Sequence, residues 1–346
     1  SAASDVYKRQ VRTTPEGGAE FDVDELFEAI IGAIDRLLGL AGPLATQIGA
    51  VAVDTMVTNI VGVNADGQAL TPVLTYADTR SAGQAEQLRV ELGPDETARI
   101  HDRTGALIHA SYLPPRFRWM ADNRPDWLRQ VVRWVSVGEV LFWRLFRRWQ
   151  VSYSVASWTG LFNRHTLSWD EDWLAYLPID AGQLSPPGDI NTPLYGLEPE
   201  WGSRWPALKA VPWFLAIGDG AAANIGSGCS DPSRLALTIG TSGAMRIVMP
   251  AASLKQVPPG LWFYRVDSER GLLGGATTEG GNLYAWFGET LRLPPADELE
   301  QALAKMAPAS HGLTMMPFVA GERAPGWHDY ARASIVGLSL NTSAVD

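Results

Sequence analysis

The chain has 346 residues, 46% of them hydrophobic and 19% charged, which is enough for about two globular domains with a sizeable core and unlike a disordered chain. A formal net charge of -10 argues against nucleic acid or an anionic membrane surface as partner, so any bound phosphate must be held by local donors and metal. One cysteine, Cys229, rules out an intrachain disulfide and fits a reducing compartment, so a cytoplasmic location is expected.

In chain order, residues 1–10, SAASDVYKRQ, lack an initiator methionine, and DVYKRQ resembles the translation of a transposon end used as a sequencing adaptor. They are expected to be non-native and are set aside. Asp22 with Glu25 forms a capping-box-like start, after which Leu26, Phe27, Ile30, Ile31, Ile34, Leu37 and Leu38 trace one helical face. Residues 48–53 and 60–63 read as strands, and Asp66-Gly67 before residues 70–75 marks a hairpin turn. VRWVSVGEVLFWRLFRRW from Val132 is the best candidate for a bilayer span, yet Glu139 and several arginines break it. It reads instead as a strand followed by an amphipathic helix whose arginine stems cover apolar surface. Proline and glycine crowd residues 185–213, which suggests an irregular crossing between two domains with a boundary near Val211. Helices alternating with mixed strands indicate an α/β fold.

The richest stretch follows. FLAIGDGAAANIG, residues 214–226, delivers one carboxylate, Asp219, between Gly218 and Gly220, whose lack of side chains opens the backbone to close approach. Ala221 to Ile225 read as the first turns of a small-residue helix. Leu235, Leu237 and Ile239 then alternate with Ala236 and Thr238 as a strand, and residues 245–249 return as its antiparallel partner. The tip between them, Gly240, Thr241, Ser242 and Gly243, offers backbone N–H groups and two hydroxyls to one point, which suits phosphate oxygens; an ordinary hairpin turn uses the same residues. Other chemistries lack support: the five histidines have no tight ligand spacing, and no Gly-x-x-x-x-Gly-Lys loop or Gly-x-Ser-x-Gly elbow occurs.

Together the Asp219 and Gly-Thr-Ser-Gly segments resemble the FGGY family of carbohydrate kinases. YADTRSAGQAEQL from Tyr76, TGALIHASY from Thr104, SVASWTGLFN from Ser154, LLGGATTEGGNLYAWF from Leu272 and PFVAGERAPGWHDYAR from Pro317 resemble further segments of that family. The wording is most similar to gluconokinase-like members. The resemblance implies an actin-like, ribonuclease H-like fold of two domains, with ATP and Mg2+ as cofactors and a small-molecule sugar or sugar acid as partner. It implies a sugar-side domain over 11–210 and a nucleotide-side domain over 211–346, with no nucleic acid, no membrane and a homodimer admitted.

On this resemblance Asp219 falls at the catalytic base, Gly240, Thr241, Ser242 and Gly243 at the second phosphate loop, and Gly280 and Gly281 near the nucleotide. Asp78 and Arg80 fall on the sugar side, where a guanidinium can fork onto a carboxylate; without the resemblance they read as a local ion pair. His109 and Tyr112 also fall toward the sugar, although a lone histidine is more often a packing residue. Two departures stand out. Val57 and Thr58, followed by Asn59, stand where many relatives carry a Met-His pair that touches the sugar, and Thr58 and Asn59 are expected to bind sugar hydroxyls in its place; Ser152 stands where an aspartate often precedes the Ala-Ser-x-Thr-Gly segment. The Asp-x-Gly-Thr hairpin expected at the start and the adenosine motif expected past Asp346 are not in the sequence, so an internal fragment with little turnover of its own is expected. A non-catalytic sugar-binding or regulatory protein on the same fold and a kinase for xylulose, ribulose or another polyol stay open beside gluconate phosphorylation, whereas an actin-like ATPase has no use for Asp78, Arg80 and Asp219 facing a small-molecule cleft.

Overall fold

The computed structural model describes residues 11–319, 321–328 and 331–346; the segment 1–10, expected to be non-native, lies outside the described residues. Helices and mixed short strands alternate along the chain in an α/β arrangement. The first long helix, Val23–Ala41, begins where the Asp22 carboxylate accepts the N–H groups of Asp24 at 2.7 Å and Glu25 at 3.2 Å. Phe27 and Ile31 are buried from its inner face, and Ile30, Ile34 and Leu38 pack beside them. Leu37, expected on that face, is 62% exposed. By length and composition Val23–Gln47, with a mean hydropathy of 1.4, is a stronger candidate for a bilayer span than the segment from Val132. Here its inner face docks on Phe146, Trp201 and Trp213, and Asp35 is held by Arg204 and the Trp205 indole.

Arg133–Val135 is a strand and Val137–Phe146 a helix, as the sequence suggests. The helix is capped by a reciprocal Ser136–Glu139 box, and nearly every residue of it is buried, so it is a core helix rather than an amphipathic one. The Pro- and Gly-rich stretch 185–213 carries only short elements between loops, yet it is anchored in the core. Its Leu194, Leu197, Trp201, Trp205 and Leu208 are core residues, and its strands pair with Val151–Ser152 and Trp213–Phe214. Large apolar side chains spaced between the turn residues hold it down, which composition alone hides.

Two segments set up the site. Residues expected as one strand over 48–53 are bridged at Val51 and strand-like at Asp54–Thr55, running parallel to residues 213–218. Three steps from Val51 to Asp54 face four from Trp213 to Ile217, so the later strand carries one extra residue, a bulge just before Asp219. The second element is a four-stranded antiparallel sheet in the order Leu235–Ile239, Gly243–Pro250, Arg270–Thr277, Trp262–Arg265. Register places Ala236 opposite Arg246 and Thr238 opposite Ala244, so these four share one face. That face packs on the helix Asp219–Gly226 through Val248, Ala221, Trp262 and Tyr264. The alternate residues, Leu235, Leu237 and Ile239, are 48%, 60% and 69% exposed on the other side.

Candidate active site

Asp219 is the first residue of the helix Asp219–Gly226 and directly follows the strand Ile217–Gly218. Ser154 anchors that strand from the short helix Tyr153–Ser157 by accepting the Gly218 N–H at 3.1 Å. Ser152, the departure from the family aspartate, caps the same helix by accepting the Val155 N–H and donates to the Ala216 carbonyl at 2.5 Å. The Asp219 carboxylate accepts the Gly220 N–H at 2.7 Å and opens into a cavity of about 660 Å³. The walls displace much of its water, and this burial raises its pKa above the ordinary carboxylate value. The Gly220 hydrogen bond and the Arg246 charge oppose the shift, while Asp54 adds to it.

Gly218 and Gly220 have a structural reason of their own, and it is not unusual dihedrals, while Gly220 also lines the cavity. Neither has a positive φ. A Cβ on Gly218 would sit 2.9 Å from the Trp158 indole nitrogen, and one on Gly220 would sit 3.1 Å from Trp158 Cζ2. The backbone carrying Asp219 is therefore laid against an indole. Trp158 in turn stacks on Tyr264, with centroids 3.8 Å apart, and Tyr264 stacks on Trp262 at 4.7 Å. The Tyr264 hydroxyl meets that of Tyr112 at 2.5 Å, and burial pushes the Tyr112 phenol up to about 12. Trp158, Trp262, Tyr264 and Tyr112 form an aromatic wall of the cavity.

Thr58 lines the cavity as well, whereas Asn59 does not. Asn59 spends its amide on the loop, donating to the Met56 carbonyl at 2.6 Å and accepting the Val137 N–H at 2.9 Å. Thr58 has φ 52°, unusual for a β-branched residue, and its carbonyl accepts from the buried Arg116 at 2.6 Å. Arg116 also donates to the carbonyls of Ala110 and Ser111, so one guanidinium fixes both loops that border this side of the cavity. Its burial lowers its pKa to about 10.

Asp78 and Arg80 are not on the cavity wall. Asp78 is 2% exposed and holds the Arg80 guanidinium, which also reaches Glu20 at 3.3 Å and lies over the Trp119 ring. The guanidinium expected to fork onto a substrate carboxylate is thus already forked onto two carboxylates of the chain. His109 lies in a different cavity, its Nδ1 near Ser111 Oγ at 3.0 Å and its ring edge-on to Trp327.

The two glycine segments expected at phosphate are brought together. Gly281 donates to the Gly240 carbonyl at 2.6 Å, and Asn282 donates to that of Thr241 at 3.2 Å. Gly280 lies so close that a Cβ there would be 2.7 Å from Ser242 C and 2.8 Å from Gly240 O. The helix Gly281–Thr290 therefore starts directly behind the hairpin tip. Ser242 and Gly243 face the Asp219 cavity, while Gly240 and Thr241 are not on its wall. The Gly240 N–H is taken by the Ser242 carbonyl at 2.9 Å, so the tip offers fewer free donors than the sequence suggests. Several cavity residues escaped sequence reasoning, among them Trp158, Asp54, Arg246, Trp262, Tyr264 and Arg323. The paired glycines around Asp219 were the available signal for a large flat neighbour, but nothing local names Trp158 as that neighbour.

The model of the FGGY family of carbohydrate kinases, N-terminal domain, matches residues 2–226. A gluconokinase of Bacillus subtilis is 27% identical over 334 residues, covering 93% of this chain and 64% of the relative. Glycerol kinase 1 of Pseudomonas aeruginosa is 28% identical over 341 residues, covering 94% and 67%. The chain thus spans less than two thirds of the length of the gluconokinase. Among solved structures, a gluconate kinase from Lactobacillus acidophilus superposes with a TM-score of 0.83 at 24% identity, covering 95% of this chain and 66% of that one. A xylulose kinase from Rhodospirillum rubrum does so at 0.88 and 19%, covering 97% and 68%. Both share its fold.

Proposed function

Since this chain belongs to the FGGY family of carbohydrate kinases, we propose that the protein transfers the γ-phosphoryl group of ATP to a hydroxyl of a sugar acid, sugar or polyol, with gluconate favoured and Asp219 as general base. The observation that carries this reading is the juxtaposition, on one cavity, of the Asp219 carboxylate and the Ser242–Gly243 side of the glycine hairpin. Asp219 takes the acceptor hydroxyl proton as its oxygen forms a bond to the γ-phosphorus, and the bond from that phosphorus to the β-bridging oxygen breaks to leave ADP. A raised pKa suits the carboxylate to accept that proton. The acceptor lies against the aromatic wall of Trp158 and Tyr112, with Thr58 offering a hydroxyl.

Asp54 and Asp219 are carboxylates of the same cavity, a donor chemistry that fits a phosphate-bound magnesium ion. The ion would be carried chiefly by the nucleotide. When bound, the ion supplies neutralisation of charge on the phosphates. A cytoplasmic location belongs to the same proposal. Gluconate stands first because the gluconokinase of Bacillus subtilis is among the relatives, although Arg80 no longer argues for an acidic acceptor.

The test is ADP release by the natural protein with gluconate, xylulose, ribulose and glycerol in turn. Turnover with one acceptor names the substrate. ATP binding without turnover on any acceptor would replace the kinase with a sugar-binding protein on the same fold.

A further inference from the structure

Arg246 lies on the strand Gly243–Pro250, on the face shared by Ala244 and Val248. Its side chain does not stay level with its own backbone. It turns back along the sheet toward the hairpin tip, where Nη1 donates to Thr238 Oγ1 at 3.4 Å; Thr238 is paired with Ala244, one same-face position nearer the tip. The guanidinium is half-buried, and burial weakens its hold on the proton while the Asp219 charge strengthens it. Among the described residues no carboxylate lies within ion-pair distance of Arg246, and the long bond to Thr238 leaves most of its five N–H donors unused.

With no carboxylate in ion-pair contact, the half-buried guanidinium keeps donors free for an anion that enters the cavity beside Asp219. The surroundings specify what arrives. Asp219, Thr238, Ser242, Gly243 and Arg246 all line the same cavity, and Thr238 and Arg246 lie on the two strands that the hairpin tip joins. A permanent ion pair would neutralise Asp219 as a proton acceptor. Apart, the two leave room for a group that meets both.

Resting on the kinase reading above, we propose that Arg246 is a catalytic residue whose guanidinium holds the oxygens of the phosphoryl group as it passes from the nucleotide to the acceptor. The acceptor oxygen–phosphorus bond forms, the bond to ADP breaks, and the hydroxyl proton goes to Asp219. Arg246 keeps all its protons and donates hydrogen bonds to oxygens whose charge is redistributed in transit. Its place on the strand that carries the phosphate hairpin favours this role over a clamp on the carboxylate of an acidic sugar.

Arg246→Gln and Arg246→Lys test it. The glutamine variant is expected to lower kcat by about 10²-fold to 10³-fold with acidic and neutral acceptors alike, with acceptor KM little changed. Lysine restores part of the rate, because it returns the charge without the planar fork. Calorimetry with ATP and with ADP gives a reading independent of turnover: the glutamine variant should lose roughly tenfold in ATP affinity and keep its ADP affinity. A kcat within about threefold of wild type, or a loss confined to acidic acceptors and expressed as KM, overturns the proposal. If the wild-type protein phosphorylates no acceptor, the kinase reading fails separately, and the calorimetry alone judges Arg246: equal losses for both nucleotides, or none, overturn it.

Discussion

Trp158 lies face to face with Tyr264, 3.8 Å between ring centroids and 25° between planes, which joins the segment around Ser154 to the sheet that carries the glycine hairpin. The same indole supports the backbone on both sides of Asp219. Packing of aromatic rings therefore fixes where the carboxylate stands.

Gly218→Ala is expected to disturb that support, because its Cβ would meet Val57 at 2.8 Å and the Trp158 indole nitrogen at 2.9 Å. Overpacking of this kind destabilises by about 1–3 kcal/mol. Replacing Trp158 by Phe in the same chain should recover part of the stability, since the smaller ring vacates the contested space. A double-mutant cycle on denaturant midpoints checks it, and simple additivity would show that the indole is not the obstacle.

Asp219→Asn should abolish phosphoryl transfer while acceptor binding persists. It should also raise the melting temperature near neutral pH. Burial lifts the Asp219 pKa above the ordinary carboxylate value, so folding favours the neutral carboxyl. Below the ordinary value wild type and variant are both neutral there. As pH rises through the raised pKa, only wild type must carry a disfavoured charge, and it loses stability relative to the variant. Melting curves from pH 3 to 8 should thus diverge upward; a variant less stable at pH 7 than wild type would contradict the burial argument.

Gly280→Ala acts on the other side of the cavity. Its Cβ would press on Ser242 C at 2.7 Å and on Gly240 O at 2.8 Å, both backbone atoms that cannot rotate away. Separation of the hairpin tip from the helix Gly281–Thr290 should weaken ATP binding by tenfold or so and leave acceptor binding unchanged. Equal effects on both ligands would place the damage in the fold at large.

Arg80→Ala separates a structural from a binding role. With the guanidinium gone, the Asp78 carboxylate, 2% exposed, keeps hydrogen bonds only from the backbone N–H groups of Ala19 and Arg80, with the Arg116 charge farther off. Loss of one partner from a buried pair costs about 3–5 kcal/mol, a figure discounted here to roughly 2–4 because Arg80 is partly exposed. Acceptor KM should stay the same wherever the variant is folded. A raised KM at unchanged stability would return Arg80 to the sugar.

Much of this was legible in the sequence because the signals are local. Asp22 caps its helix through N–H groups two and three residues away, and alternation at Leu235, Leu237 and Ile239 against residues 245–249 foretold the hairpin. Spacing along the chain carries such features, since hydrogen bonds within a turn or hairpin join near neighbours. The FGGY resemblance of short segments placed Asp219 and the glycine hairpin together. Tertiary structure alone decided what surrounds them. Arg80 was spent on Asp78 and Glu20, and Asn59 on its own loop, because burial forces polar groups to take whichever partner the fold supplies. Trp158, Tyr264 and Arg246 entered the site because long side chains reach across elements far apart in sequence. The chain fixes which residues can do the chemistry; packing of distant segments determines which of them face the cavity.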